Sequence, residues 1–443
     1  MSRHAMNAVE AAAAIREGQM TSRELVDDCL ERIDEFEDTV KAWTFLDPDH
    51  ARAQADRLDA LRRKGRPTGP LHGLPVGIKD IFDTADMPTE LGSPLYSGRR
   101  PRHDSTVVAK LREAGAVILG KTVTTEFASF QPGKTANPHD PARTPGGSSS
   151  GSAAAVASLM CPLAVGSQTV ASVVRPAAFC GIYGFKPSRG MISRAGVLCQ
   201  SEALDHVGVF ARNLEDIALM SESVMGFDPA DPTTAPPLAR LPLSRVLAED
   251  PPVAPRLAFA KTPVWDQAEP AMQEACGEVV EALGGRAEEL DLPAAFDRVH
   301  GLHRIIMEAD IAKHFGADYD RGAAQISDGF KAIIERGRDH GAVAYNRAID
   351  AQSLCNDLLD EIFDAYDAIL TPAAPGEAPV GLETTGNPAF GTIWTFSGVP
   401  AITLPICRGA AGLPMGIQLI GQKGDDARLL RTARWLVARL TED

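Results

Sequence analysis

Three short stretches of this chain carry side chains that could do nucleophilic or anion-binding chemistry. Gly146-Gly147-Ser148-Ser149-Ser150-Gly151-Ser152 is a glycine–serine loop that runs directly into the apolar segment Ala153–Leu159. A loop entering a helix in this way exposes many N–H groups and hydroxyls at a positive helix end, which suits an anion or a developing oxyanion. Gly166-Ser167-Gln168-Thr169-Val170-Ala171-Ser172 is a second small polar loop, followed by Arg175-Pro176. Gly73-Leu74-Pro75-Val76-Gly77-Ile78-Lys79-Asp80 leaves a lysine at the end of an apolar run, where burial would lower its pKa. Singly, each residue has a plain structural alternative. Ser148 could be a linker or helix-capping hydroxyl, Ser172 a loop serine, Lys79 a solvated lysine.

Two motif matches carry less. Gly115–Thr122 fits GxxxxGK[ST], but its four variable residues are Ala-Val-Ile-Leu, which form a buried strand rather than a phosphate-cradling loop. Lys121 then simply ends that strand. Gly147–Gly151 fits GxSxG with Ser149 as nucleophile, yet that elbow needs a strand before the serine. The preceding Asn137–Pro145 contains three prolines and cannot be a central strand. His206, His300 and His303 are available partners for such a serine, and nothing singles them out. His300 and His303 also lack the spacing of a metal-binding HExxH helix, so no metal is expected.

The elements that must position these loops read as α/β. Thr21-Ser22-Arg23-Glu24 is a capping-box pattern, with Leu25, Cys29, Leu30 and Ile33 following at helical spacing. The first 70 residues are therefore expected to be helical. Strands are predicted at Leu74–Ile78 and Ala116–Leu119 around a helix at Val107–Ala114, and the alternation suggests a mostly parallel sheet covered by helices on both faces. Residues 71–211 form the expected catalytic core. Residues 212–365 read as a largely helical insertion, with Met225–Pro255 a Pro- and Ala-rich surface excursion. Strand texture returns at 368–370, 401–404 and 416–420, before a last helix over about 425–440. The expectation is one domain over residues 1–443.

Composition bounds the function. The chain has 443 residues, 44% hydrophobic and 23% charged, which is ordinary globular composition. The longest nearly apolar stretch, Ala153–Gly166, is shorter than the ~18 residues of a membrane span. Lys and Arg total 44 against 59 Asp and Glu, a net charge of −15. A surface this anionic repels nucleic acid unless a basic patch or partner intervenes. The cluster Arg62, Arg63, Lys64 and Arg66 ends a predicted helix, where cations favour the negative pole. Seven cysteines without paired spacing read as reduced thiols of a cytoplasmic protein, and no signal-peptide or lipidation pattern is present.

On a wider set of segments the chain resembles the amidase signature family. These are Gly73–Asp80, Gly115–Ala128, Pro145–Ala157, Gly166–Ser188, Ser201–Gly208, Leu370-Thr371-Pro372 and Gly398–Gln418, in order and covering most of the chain outside 212–365. The resemblance implies a single α/β/α sandwich on a large twisted mixed sheet. It implies a Ser-cisSer-Lys triad of Ser172 as nucleophile, Ser148 as relay after a cis Gly147–Ser148 peptide, and Lys79 as base. The N–H groups of Thr169, Val170, Ala171 and Ser172 would form the oxyanion hole. The chemistry needs these types: an amide requires an activated nucleophile and a stabilised oxyanion, and burial keeps a lysine base neutral. The implied reaction is hydrolysis of a small or medium amide, ester or carbamate through an acyl-enzyme, without metal or organic cofactor. Two alternatives stand beside it: a transamidating subunit working with a tRNA-binding partner, and an inactive anion-binding scaffold. A small molecule is the expected partner, with no nucleic acid or membrane contact of its own, and a homodimer is one option. The sequence departs from the family's usual Gly-Thr-Asp-Thr-Gly-Gly-Ser-Ile-Arg at Gln168, Val170, Ala171 and Val174. Ser149 and Ser150 are expected to cap and support the helix. Asp80 and Asp205 read as site support or salt bridges, Cys180 as a packed thiol, and Trp394 and Phe396 as core.

Overall fold

The computed structural model describes residues 3–234 and 242–441. The chain opens with helices α1 (Ala8–Glu17) and α2 (Ser22–Val40), strand β1 (Trp43–Leu46) and helix α3 (Pro48–Arg63). The predicted capping box is present: the Thr21 side chain accepts from Glu24 N–H, and the Glu24 carboxylate accepts from Thr21 N–H. Leu25, Cys29, Leu30 and Ile33 face the core. Arg62 and Arg63 occupy the last turn of α3, at its negative pole.

Next come β2 (Pro75–Lys79), α4 (Thr106–Glu113), β3 (Val117–Thr122), α5 (Ser150–Ala157), β4 (Leu163–Gln168), α6 (Val174–Cys180), β5 (Tyr183–Lys186) and β6 (His206–Ala211). Beyond them lie α7 (Leu214–Val224), α8 (Leu243–Ala248), β7 (Leu257–Lys261), α9 (Pro270–Leu283), β8 (Ala287–Asp291), α10 (Val299–Gly322), α11 (Asp328–Asp339) and α12 (Ala342–Phe363). The chain ends with β9 (Ala368–Pro372), α13 (Thr392–Ser397), β10 (Ala401–Arg408), β11 (Pro414–Ile420) and α14 (Asp426–Thr441).

All eleven strands join one sheet, in the order β1-β3-β2-β4-β6-β5-β10-β11-β9-β7-β8. Helices cover it in two groups: α5 packs on β2, β3 and β4 and touches α6, while α7 packs on β5 and β6 and touches α4, α8 and α14. The α/β architecture with a large mixed sheet is thus as expected, but two details differ. Among the described residues the sheet is not mostly parallel: only β3-β2, β2-β4, β9-β7 and β7-β8 run parallel, and the other six pairings are antiparallel. Strands buried on both faces lose polar alternation whichever way they run, so β6, β11 and the buried first half of β10 read from sequence like parallel strands. Residues 212–365 also do more than insert helices, because β7 and β8 extend the sheet at one edge. Part of the proline-rich excursion, residues 235–241, lies outside the described residues.

The parallel triplet β3-β2-β4 positions the chemistry. Its register pairs Ile78 with Lys121 and with Val165, so the C-terminal ends of all three strands lie side by side. Ligands of open α/β sheets characteristically sit at such ends. Lys79, Lys121 and the loop after Gln168 all emerge there. Helix α5 reaches this edge because its neighbours are small: a Cβ on Gly166 would stand 2.6 Å from Ser149 Oγ.

Candidate active site

Lys79 is completely buried, and its Nζ lies 2.7 Å from Ser148 Oγ and 2.8 Å from Ser167 Oγ. Among the described residues no carboxylate bonds to it. Burial therefore holds its pKa well below that of an ordinary lysine, with the nearby Asp205 opposing. Ser148 follows a cis peptide bond from Gly147 and is itself 1% exposed. Gly146 precedes the cis unit at φ +84°, a conformation that suits glycine, with Pro176 and Phe179 packed against it.

The loop between β4 and α6 is pinned by its carbonyls. His303 Nε2 lies 2.8 Å from Thr169 O, and the Thr395 hydroxyl donates to Val170 O at 2.6 Å. Thr169 Oγ1 donates to Asp205 Oδ1. By contrast, the N–H groups of Thr169, Val170, Ala171 and Ser172 donate to no protein acceptor among the described residues. Unpaired N–H groups in so buried a loop are uncommon and call for a ligand. Val170 and Ala171 are absent from the left-handed region, so their side chains replace glycine without backbone strain there.

Gln168 has its own explanation. Its Oε1 accepts from Val173 N–H at 2.8 Å and Val174 N–H at 3.0 Å, and its Nε2 donates to Thr395 Oγ1 at 2.9 Å. It thereby pairs two otherwise open donors at the start of α6, at about 1 kcal/mol each, and orders the threonine that pins Val170. Arg175 is buried and donates to Gly147 O, Gly386 O and Thr385 Oγ1. Burial lowers the pKa of this guanidinium to about 9. One arginine thus ties the cis-peptide loop to the segment 385–386.

Ser172 Oγ forms no protein hydrogen bond among the described residues and faces a narrow cleft. Ala128, Ser129, Val170, Gln200, Met307 and Pro388 line that cleft beside it. Ser129, Phe130 and Met307 are shared with an outer chamber of about 440 Å3, bounded further by Arg304, Phe330, Ile333 and Glu383. The cleft at Ser172 and the outer chamber thus meet at Ser129, Phe130 and Met307.

The remaining sequence candidates fall elsewhere. Ser149 is fully buried, with its Oγ held between Ser167 O and Ser167 N, so it is closed to substrate. Neither it nor Ser150 caps α5 through a side-chain bond: they support the helix by binding Ser167 and Ser148 O instead. Lys121 ends its strand with Nζ bonded to Phe82 O, Pro88 O and Thr89 Oγ1 and paired with Asp80 at 3.2 Å. His206 is buried, its Nδ1 against Leu204 O, and burial drives its pKa well below the usual histidine range. His300 and His303 meet carbonyl oxygens, and among the described residues no cluster of three or more His, Cys, Asp or Glu could hold a metal ion. Cys180 is a buried thiol on Pro145 O, and Trp394 and Phe396 belong to the core.

Sequence reasoning missed Ser167, His303 and Thr395 as parts of the site. Ser167 stood in a quoted motif as one more small polar residue. His303 and Thr395 lie more than a hundred positions away on α10 and α13, and only the fold brings them to the loop.

Comparisons with known proteins identify the family. The sequence model of the family described as Amidase matches residues 24–430. A glutamyl-tRNA(Gln) amidotransferase subunit from Chloroflexus aurantiacus is 34% identical over 99% of this chain and 97% of its own length. The native peptide amidase of Stenotrophomonas maltophilia superposes with a TM-score of 0.85 at 28% identity, over 98% of this chain and 97% of its own. A 6-aminohexanoate cyclic dimer hydrolase complexed with substrate gives 0.88 at 25% identity, over 100% and 98%. The chain belongs to the amidase signature family of enzymes acting on carbon–nitrogen bonds.

Proposed function

We propose that this protein hydrolyses a carbon–nitrogen amide bond through an acyl-enzyme on Ser172, with Ser148 as relay and Lys79 as base. The observation that carries the reading is a lysine buried without a carboxylate partner, in hydrogen-bond contact with a serine beside an open nucleophile cleft. As a neutral amine, Lys79 donates to Ser167 Oγ and keeps its lone pair for the Ser148 hydroxyl. Ser148 then accepts the Ser172 proton as Ser172 Oγ attacks the carbonyl carbon. The relay serine does not touch Ser172 in the free protein, and such contacts commonly tighten only with substrate bound. The negative charge that develops on the carbonyl oxygen is met by the unpaired N–H groups of the 169–172 loop. Collapse returns the proton through Ser148 to the departing nitrogen. Water, deprotonated by the same route, releases the acid and regenerates Ser172. The same machinery accepts ester and carbamate carbonyls, since it reads the carbonyl and not the leaving atom. The seven free thiols support a reducing, cytoplasmic compartment, with a small molecule as substrate.

A second reading is favoured by the 34% identity to that amidotransferase component over nearly the whole chain. There the same Ser172 chemistry would release ammonia for a partner that binds tRNA. The scaffold reading has less support, because unpaired loop N–H groups and a buried lysine with no carboxylate in contact serve no structural end. Turnover of simple amides, esters and carbamates by the purified chain alone, lost in Ser172→Ala, is the expected result. Amide turnover that appears only with a partner protein would favour the amidotransferase reading. No turnover in either setting would favour the scaffold.

A further inference from the structure

The outer chamber differs from the cleft around Ser172 in having unspent charge. Its apolar lining is Phe130, Met307, Phe330 and Ile333. Phe127, Phe315 and Phe330 stack behind it, with ring centroids 5.0–5.1 Å apart. Four charged residues also line it, in two kinds. Glu308 and Arg336 are spent on structure: Glu308 accepts from Arg336 Nε at 2.7 Å and lies 2.9 Å from His340 Nε2. Arg304 and Glu383 have neither an ion pair nor a hydrogen bond among the described residues. The two come from different elements, α10 and the loop 381–388, and share only this cavity. Both are solvent-exposed, so an unpaired cation and an unpaired anion face the space of one chamber with an apolar wall. Where the chamber meets the Ser172 cleft, Ser129 Oγ is buried and has no protein partner among the described residues.

We propose that the chamber binds the far end of the substrate as a zwitterion: an amide on an apolar linker whose other end carries both a carboxylate, met by Arg304, and an ammonium, met by Glu383. The apolar lining accommodates the linker. A guanidinium offers a carboxylate two parallel N–H donors, which fixes orientation as well as charge. The inference rests on the hydrolase reading for the identity of the reacting bond, but the recognition of the end group stands on the chamber alone.

Four acetamides of matched length test it: Nε-acetyl-lysine, 6-acetamidohexanoate, N-acetylcadaverine and N-pentylacetamide, carrying both charges, the carboxylate, the ammonium and neither. Two readouts separate the inference from the reading beneath it. Calorimetry on Ser172→Ala measures binding without turnover, and kcat/KM on the active protein measures reaction. Binding of Nε-acetyl-lysine should exceed that of N-pentylacetamide about tenfold or more. Adding Arg304→Gln should remove the preference for the carboxylate-bearing pair, and Glu383→Gln that for the ammonium-bearing pair. The same ratios should appear in kcat/KM. If either substitution leaves its binding ratio unmoved, or if all four amides bind alike, the zwitterion site is overturned, whether or not the protein turns over amides. If the ratios move as stated while no amide reacts, the binding site stands and the hydrolase reading falls.

Discussion

Two lysines stand side by side at the ends of neighbouring strands, and their surroundings are opposite. Lys121 on β3 is surrounded by oxygen: two carbonyls, a hydroxyl and the Asp80 carboxylate. Lys79 on β2 meets two serine hydroxyls and nothing charged. Both are completely buried, and burial lowers both pKa values, but at Lys121 the attraction of Asp80 opposes it directly. Four acceptors favour the ammonium form of Lys121, which fastens the loop 80–89 to the sheet. Burial favours the amine form of Lys79, whose only contacts of this kind are two hydroxyls. The difference teaches that burial favours a neutral lysine most where no carboxylate is in contact to oppose it.

The strongest way to test the contrast is to delete each lysine. Lys79→Ala and Ser172→Ala should each lower kcat by about 10^4, and the double variant should lose little more, because the residues act as one unit. Steady-state kinetics on the three proteins checks this. Lys121→Met should act on the fold instead. It strands Asp80 and two buried carbonyls, at about 3–5 kcal/mol, read as a fall in the denaturant midpoint. If Lys121→Met is unstable but its folded fraction turns over normally, the two roles are separated.

Titration sharpens the comparison further. The rate should rise from acid toward neutral or alkaline pH as Lys79 loses its proton, and Lys79→Ala should remove that limb. His206→Ala should keep it, since burial holds the His206 pKa well below the usual histidine range. The same shift has a stability consequence. The folded pKa of Lys79 lies below the unfolded one of about 10.5, so between the two the unfolded chain holds more protons. Stability then increases with pH across that window and is lowest on its acid side. Lys79→Met should flatten that slope and raise the melting temperature at neutral pH.

The smallest effect is expected at the loop that departs from its family. Val170 lines the cleft next to Ser172 without occupying the left-handed region. Val170→Gly should widen the range of accepted acyl or leaving groups and change turnover of small amides only a few-fold. Competition assays with amides of increasing bulk measure it, and loss of all activity would refute the valine's role as a wall.

What could be read from the sequence follows the same division. Lys79 stood out as the end of an apolar run, but alone it reads equally as a solvated lysine. Ser148 and Ser172 were legible only as members of an ordered set of segments, since each alone is an ordinary loop serine. Strand direction was not legible, because β6, β11 and the first half of β10 are buried on both faces and carry no directional signature. Nor was the role of Gln168: its side chain replaces a carboxylate by pairing two helix N–H groups and a threonine that lies 227 positions away. Arg304 and Glu383 gave no signal, because an unpaired charge is a property of the folded neighbourhood and not of the residue.

The central claim is that Ser172 is the nucleophile and that a neutral Lys79 activates it. Labelling with a serine-reactive fluorophosphonate, followed by peptide mass spectrometry, tests both parts at once. The account predicts a single adduct on Ser172 in the native protein, formed far more slowly in Lys79→Ala and as fast as in the native protein in His206→Ala. An adduct on Ser149, or labelling of Ser172 at the same rate with and without Lys79, would contradict it.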